Sequence, residues 1–403
     1  MVDSSEAVDL LTTLVRIPSV NPQVNDEGMD ETQITDFLFD KLSTWGFEVK
    51  LQEVSSPSVY KFLPKRPDAK RNNVIARFKT SSKRKLVLNG HVDTVSGVNM
   101  KDPFNPVIQN GLLRGRGSSD MKSGIASMIV AARAIMESEA EIDGTVILTL
   151  VVDEEVWGAG TSTFAGSEKV DYAIVCEPTN LKISTSQAGY IDLNVMSRGE
   201  SMHGSTMAVG DRTSAVLNAV RLIGKITDLP ALREVVEYDG VKMPNTINIA
   251  PIPTPINPSY AWMSHEEFGM NVLIGTAPRK TKKESESMQE SILAEITRLV
   301  DDSNSKKEDN WVDVNARWHG FIQEKSKFVH DVEAAVRGVL GMYEYGHTLT
   351  MCDGSFFHDA GVPTILLGPG RMEVSHSSHE VVNIEQVRQA TAIYAGSILR
   401  ILS

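Results

Sequence analysis

The chain has 403 residues, of which 41% are hydrophobic and 23% charged, an ordinary soluble globular composition with enough length for two domains. Its 40 basic and 52 acidic residues give a net charge of -12, which argues against nucleic acid or an anionic membrane as the main partner. Only two cysteines occur, Cys176 and Cys352, so no disulfide framework is implied and a reducing cytoplasm fits. The N-terminus lacks a basic region followed by an apolar core, so no signal peptide is read there. The most apolar helical stretch, 125–136, contains Arg133 and is too short to span a bilayer.

Asp3-Ser-Ser-Glu6 reads as a helix N-cap with a reciprocal Glu. Val8, Leu11, Leu14 and Val15 then form one apolar face, which Ile17-Pro18 and Asn21-Pro22 end. A second helix, 31–45, carries Ile34, Phe37, Leu38 and Leu42 and stops at Gly46. Residues 47–54 read as a strand, 55–70 as an exposed loop rich in Pro, Ser and Lys, and 73–78 as a short strand. The alternation of helices with apolar strands predicts an α/β sheet, largely parallel and covered on both faces.

Polar residues then recur where apolar runs end. Leu86-Val87-Leu88 leads into His91 and Asp93. In an extended segment these two share a face, so the Asp93 carboxylate can accept from one ring nitrogen while the other faces a metal. Alone, a His-x-Asp at a strand end is ordinary. Asp120 follows the glycine-rich run 112–119 and precedes an Ala-rich helix to about 138; taken alone it reads better as a helix-capping aspartate than as a carboxylate held at the entrance to a crevice. The strongest strand, 145–152, ends in Asp153-Glu154-Glu155. Adjacent acids at a buried strand end are costly without cations, and they can divide the labour, one binding a cation and one acting as general base. The strand 171–176 ends in Glu177-Pro178. His91, Asp120, Glu154, Glu155 and Glu177 are too many for coincidence.

The pattern changes at Gly189. Residues 190–196 alternate as a half-exposed antiparallel strand does. Met202-His203-Gly204-Ser205, a helix 213–226, strands 246–251 and 268–274, a charged helix 283–300 and a strand 311–318 follow. This βαββαβ order predicts an α+β unit, 187–320, inserted into a catalytic domain made of 1–186 and 321–403. A helix at 327–342 and a buried strand at 361–367 resume the first domain. Ser375-His376-Ser-Ser-His379-Glu380 and a closing helix, 384–401, complete it.

Gly90-His91-Val92-Asp93-Thr94-Val95, 116–124 (Arg-Gly-Ser-Ser-Asp-Met-Lys-Ser-Gly), Asp153-Glu154-Glu155, Cys176-Glu177-Pro178 and His376-Ser-Ser-His379-Glu380 together resemble the M20 metallopeptidase family. That group includes acetylornithine deacetylase, succinyl-diaminopimelate desuccinylase, aminoacylase-1 and carboxypeptidase G2. The pieces occur in the family's order across most of the chain. The resemblance implies two divalent metal ions, with zinc first and cobalt or manganese tolerated. Asp120 would bridge them, His91 and Glu177 would complete one site, and Glu155 and His376 the other. Glu154 would be the general base and Asp93 would orient His91. The inserted unit would be a lid that also forms a homodimer, and His203 would reach the neighbouring active site to stabilise the oxyanion. Histidine and carboxylate donors without thiolate suit a catalytic zinc. Between two candidate histidines, His376 has the family's four-residue spacing from Glu380, and His379 is assigned to substrate or outer contacts. Asn257 matches a substrate-binding lid residue.

The departures fall outside the metal shell. Leu273-Ile274-Gly275 stands where many relatives have Asp-x-Arg, Thr254-Pro255 replaces a Gly-Gly pair, and Gly354-Ser355 follows Asp353 where Ala-Arg is frequent. The sequence thus predicts a cytoplasmic dimetal hydrolase cleaving the amide of an N-acyl amino acid. A metallo-carboxypeptidase or dipeptidase with the same site is the alternative, and an inactive metal-binding homologue a third reading. No Gly-x-Ser-x-Gly elbow supports a serine hydrolase.

Overall fold

The computed structural model describes residues 5–23, 29–55, 71–79, 84–97, 99–203, 205, 214–238, 240–252, 266–304 and 310–403. The expected cap at Asp3, most of the loop 55–70 and Asn257 lie outside them. The chain begins with α1 (Ser5–Arg16), α2 (Thr32–Thr44), β1 (Glu48–Val54), β2 (Arg71–Lys79) and β3 (Lys85–His91). A hairpin of β4 (Val107–Gln109) and β5 (Leu112–Arg114) precedes α3 (Lys122–Met136), β6 (Thr145–Val151), α4 (Ala159–Ser167), β7 (Tyr172–Val175) and β8 (Ile183–Gln187). The second unit holds β9 (Gly189–Arg198), α5 (Ala215–Thr227), β10 (Val235–Tyr238), β11 (Val241–Pro244), β12 (Thr246–Pro251), β13 (Glu267–Thr276), α6 (Lys282–Ser303) and β14 (Asn310–Trp318). The first unit resumes with β15 (Phe321–Ile322), α7 (Lys327–Leu340), β16 (Tyr345–Thr348), α8 (Gly354–Asp359), β17 (Thr364–Leu366), β18 (Val381–Asn383) and α9 (Ile384–Ile401).

The main sheet runs β1-β2-β6-β3-β7-β17-β8-β15, with β16 beside β8. Its centre, β6-β3-β7-β17, is parallel. Its flanks, β1 and β2 on one side and the β8 pairs with β15 and β17 on the other, are antiparallel. The sheet is therefore mixed, more so than the apolar runs alone predict. Both faces of the centre are buried. Leu86, Leu88, Val146, Leu148 and Ile174 pack beneath α1, α3, α7 and α9, while Val87, Ile147, Ala173 and Val175 join Phe164 of α4 and Phe357 of α8. Two-sided cover is why these strands read as unbroken apolar runs.

The second unit is a four-stranded antiparallel sheet, β12-β13-β9-β14. Ile191, Leu193 and Val195 of β9 meet Leu222 and Ile226 of α5 and Ile292 and Ile296 of α6. The alternate residues Asp192 and Asn194 take the other face, where Asn271 and Asn315 donate to Asp192 Oδ1 at 2.6 and 3.0 Å. The hairpin β10–β11, absent from the βαββαβ expectation, extends from this unit back to the first. Its Met243 is buried and accepts a contact from Ser186 Oγ at 3.3 Å. The two units join where Gly189 and Gly320 cross so closely that a Cβ on either would meet the other's backbone nitrogen at 2.5 Å. Beside this crossing, Lys282 of α6 and His319 both contact Asp359 Oδ2 at 2.9 Å.

Glycine also sets how near α3 comes to the strand that carries Glu177. A Cβ at Gly124 would lie 2.1 Å from the carbonyl oxygen of Cys176. Because that obstacle is backbone, Gly124→Ala should lower stability by about 1–3 kcal/mol. A shifted urea midpoint together with weakened zinc uptake, read by equilibrium dialysis, would establish it.

Candidate metal centre

The carboxyl ends of parallel strands open into a crevice in which polar groups stand on a rigid base. His91 closes β3, Glu154 and Glu155 follow β6, Glu177 follows β7, and His376 lies in the loop after β17. Asp120 precedes α3. The structure brings these six side chains together. His91, Glu154 and Glu177 form one group of metal-type donors, and Asp120, Glu155 and His376 another, each with donor atoms within 4.8 Å of one another. Asp120 stands between the imidazoles: Oδ1 is 3.1 Å from His91 Nε2, and Oδ2 is 3.3 Å from His376 Nε2. Glu155 Oε2 is 2.9 Å from His376 Nε2, and Glu154 Oε2 and Glu177 Oε1 are each 3.8 Å from His91 Nε2.

The electrostatics show what this donor set needs. Burial pushes the Glu154 and Glu177 carboxyls well above their usual range, and neighbouring carboxylates add to it. Burial opposes charge on the two imidazoles, yet the acids outweigh it. His91 lies well above its ordinary value through Glu154, Asp120 and Asp93, and His376 is carried up to about 11 by Glu155 and Asp120. Protons are thus drawn onto nitrogen atoms that face carboxylate oxygens. A divalent cation answers the same excess of negative charge, and nitrogen–oxygen donors suit zinc, cobalt or manganese.

Two capped turns hold the donors. The Asp93 carboxylate accepts from the backbone N–H of Glu154 at 3.2 Å, of Glu155 at 3.1 Å, and from Asn21 Nδ2 at 2.8 Å. His91 Nδ1 therefore finds the Asp93 backbone carbonyl at 3.0 Å, nearer than the carboxylate at 3.6 Å. The expected carboxylate–imidazole bond gives way because the carboxylate is engaged by the acidic turn. Asp153, at φ 73°, turns away from the donors. It accepts from Arg71 Nη1 at 2.5 Å, Gln23 Nε2 at 3.0 Å and Asn21 Nδ2 at 3.2 Å, and Arg71 also binds Glu31. Burial works against the Arg71 charge, but Glu31 and Asp153 outweigh it and hold the guanidinium charged. The second cap is Glu380, whose Oε1 accepts from the N–H groups of Ser119 at 3.0 Å and Asp120 at 3.1 Å while Arg116 Nη1 grips Oε2 at 2.5 Å.

Sequence reasoning did not assign Asn21, Glu31, Arg71, Arg116 or Glu380. Arg116 and Glu380 stood inside quoted motifs, and a buried charge at each was the available signal. The remaining expected residues stand apart from the cluster. His203 is exposed, with Nδ1 2.7 Å from Ser205 Oγ, and His379 is exposed, its backbone N–H donating to Ser377 Oγ at 3.1 Å.

An α/β domain with an inserted antiparallel unit and two carboxylate–histidine groups joined by one aspartate defines a class of metallohydrolase. A family model described as peptidase family M20/M25/M40 matches residues 87–400, and the chain belongs to that family as an enzyme acting on amide or peptide bonds. It is 28% identical over 364 residues to N-formyl-4-amino-5-aminomethyl-2-methylpyrimidine deformylase of Bacillus subtilis, covering 81% of this chain and 82% of the relative. It is 26% identical over 422 residues to succinyl-diaminopimelate desuccinylase of Thioalkalivibrio sulfidiphilus, covering 99% of each. The structure of a di-peptidase from Saccharomyces cerevisiae shares the fold, with TM-score 0.76 and 16% identity over 98% of this chain and 95% of that one. Among the described residues, no helix is long and apolar enough to cross a membrane.

Two substitutions probe this geometry. His376→Ala should cost about one equivalent of bound metal, and His379→Ala should cost none, by metal analysis after dialysis. Arg116→Met, which strands the buried Glu380 charge, should destabilise the protein by about 3–5 kcal/mol in denaturant titration.

Proposed function

We propose that this protein is a cytoplasmic, homodimeric hydrolase that uses two divalent metal ions, zinc first, to cleave the amide bond of an N-acyl amino acid. The observation that carries the reading is Asp120, which offers one oxygen toward each histidine. His91, Glu177 and Asp120 would hold one ion, and Glu155, His376 and Asp120 the other. Bound divalent ions supply Lewis acidity and lower the pKa of water to about 7.

Glu154 is left for proton transfer. Its carboxyl is buried beside His91 and its pKa is raised, which suits a group that takes a proton from the attacking water and returns it to the leaving amine. Asp93 fixes the backbone that presents Glu154, and its carbonyl keeps Nε2 of His91 turned toward the donors. His203, exposed on its own chain, would serve the neighbouring subunit's site by stabilising the oxyanion. Asn257 and His379 would contact substrate.

Two curated relatives are named as a deformylase and a desuccinylase, names that describe removal of an acyl group from nitrogen, and this favours deacylation. The fold neighbour named as a di-peptidase supports a second reading, a dipeptidase or carboxypeptidase with the same residues. A panel of N-acetyl amino acids and N-blocked dipeptides on chelated and zinc-reconstituted protein separates the two by which class is turned over. In that assay Glu154→Ala should keep both metals while losing about 10²–10⁴ in kcat. A variant that instead loses one metal would make Glu154 a ligand.

A further inference from the structure

Lys122 is a buried charge outside the proposed chemistry. It opens α3 and is fully inaccessible. Among the described residues no carboxylate stands within ion-pair distance of it, and the acids whose fields favour its charge are Glu380 and Asp93, the two caps of the candidate metal centre. Its Nζ donates instead to backbone, to the carbonyl of Leu14 at 3.0 Å and to that of Ile17 at 2.9 Å. These carbonyls close α1, where the helix dipole favours a cation. The stem runs past Gly117, where a Cβ would lie 3.0 Å from Lys122 Cδ and 2.8 Å from Thr94 Cγ2. A side chain needed only for packing could be apolar at the same length, without the cost of burying an ammonium.

What the ammonium holds leads on to the acidic turn. Beyond Ile17 the chain runs as a strap beside residues 92–94, with Ser19, Val20 and Asn21 buried. Ser19 Oγ donates to the Val92 carbonyl at 2.7 Å. The N–H of Thr94 donates to the Ser19 carbonyl at 3.0 Å, and that of Asn21 to the Thr94 carbonyl at 2.9 Å. The strap delivers Asn21 Nδ2 to Asp93 at 2.8 Å and to Asp153 at 3.2 Å. Asp93 in turn collects the N–H groups of Glu154 and Glu155. Lys122 follows Asp120 by two residues, so this run of bonds joins the loop that presents Asp120 to the turn that presents Glu154 and Glu155.

We infer that Lys122 is a positioning residue for Glu154 and Glu155, acting through the strap and Asn21. Its ammonium fixes the end of α1, the strap carries that position to Asn21, and Asn21 fixes the carboxylate that caps the acidic turn. The inference rests on the metal-hydrolase reading, which gives Glu154 its proton and Asp120 and Glu155 their ions. It adds that the two sides of the centre keep their spacing through the N-terminal segment.

The test is a double-mutant cycle on zinc-loaded protein: wild type, Lys122→Met, Asn21→Ala and the double variant. It reads kcat, KM, zinc affinity by competition with a chelator, and Tm. Lys122 and Asn21 share no hydrogen-bond partner, so independent losses would multiply. Each single substitution should lower kcat and zinc affinity about tenfold with KM little changed, and the double variant should lose no more than the larger single loss. Losses that multiply overturn the inference. So does a Lys122→Met protein with a lowered Tm but the kcat and zinc affinity of wild type, since Lys122 would then serve stability alone. If Lys122→Met does not fold, Ser19→Ala, which removes one bond of the strap, takes its place in the cycle under the same criteria. If zinc-loaded wild type turns over neither N-acetyl amino acids nor N-blocked dipeptides, the hydrolase reading fails by itself. The cycle is then read in zinc affinity alone, where a double loss no larger than the greater single loss supports the inference and a multiplied loss overturns it.

Discussion

The structure depends on holding several carboxylates in a space from which water is largely excluded. Asp93, Asp120 and Glu177 are all nearly inaccessible, and Glu154 and Glu155 crowd against them. Such groups repel, and each loses hydration by being there. The chain answers with fixed partial charges before any cation is considered. Asp93 and Glu380 each collect a pair of backbone N–H groups, which orients the peptide planes and so aims the side chains of Glu154, Glu155 and Asp120. An arginine stands behind each cap, Arg116 directly on Glu380 and Arg71 through Asp153 and Asn21 to Asp93. Buried pairs of this kind add little net stability. They are expensive to break, and that asymmetry is what fixes a geometry.

Much of this was legible in the sequence, for reasons that differ by residue. The strands ending at His91, Asp153 and Glu177 were visible because both faces of the sheet are covered, so their apolar runs are unbroken. The six clustered side chains were visible because each closes such a run or lies in a motif. Strand β8, Ile-Ser-Thr-Ser-Gln, was missed because it buries polar side chains, three of which hydrogen-bond within the fold, as Gln187 does with Cys352 and Ser355. The β10–β11 hairpin carried a usable signal, Asp239-Gly240 between two short runs. Asn21, Glu31 and Arg71 had none, because their partners are 40 to 132 residues away and nothing local marks a side chain that bonds across such a distance. The role of the Asp93 carboxylate shifted for the same reason: its neighbour in sequence was evident, and the peptide groups 61 and 62 residues further on were not.

The parallel centre and the inserted unit place different demands on the chain. The centre is apolar along most of its strands, with the buried pair Asn89 and Thr149 bonded to each other at 3.1 Å, and the charged donors gather where the strands stop. The insert covers one face of its sheet with α5 and α6 and leaves the other to the amides around Asp192. Its hairpin then returns to the first unit and closes a wall of a cavity beside Glu177. The candidate metal centre thus stands on the ends of buried strands, while the cavity beside Glu177 is walled by residues of both units.

The contact of Gly189 with Gly320 gives that assembly a mechanical character. The polypeptide leaves the main sheet after β8 and re-enters it as β15, its immediate neighbour, so departure and return lie side by side. Both covalent links between the units therefore pass one point, where neither Gly189 nor Gly320 carries a side chain that could act as a strut. With departure and return pinned at two side-chainless residues, the angle between the units is left to the contacts further out, Met243 on Ser186 and Lys282 with Asp359.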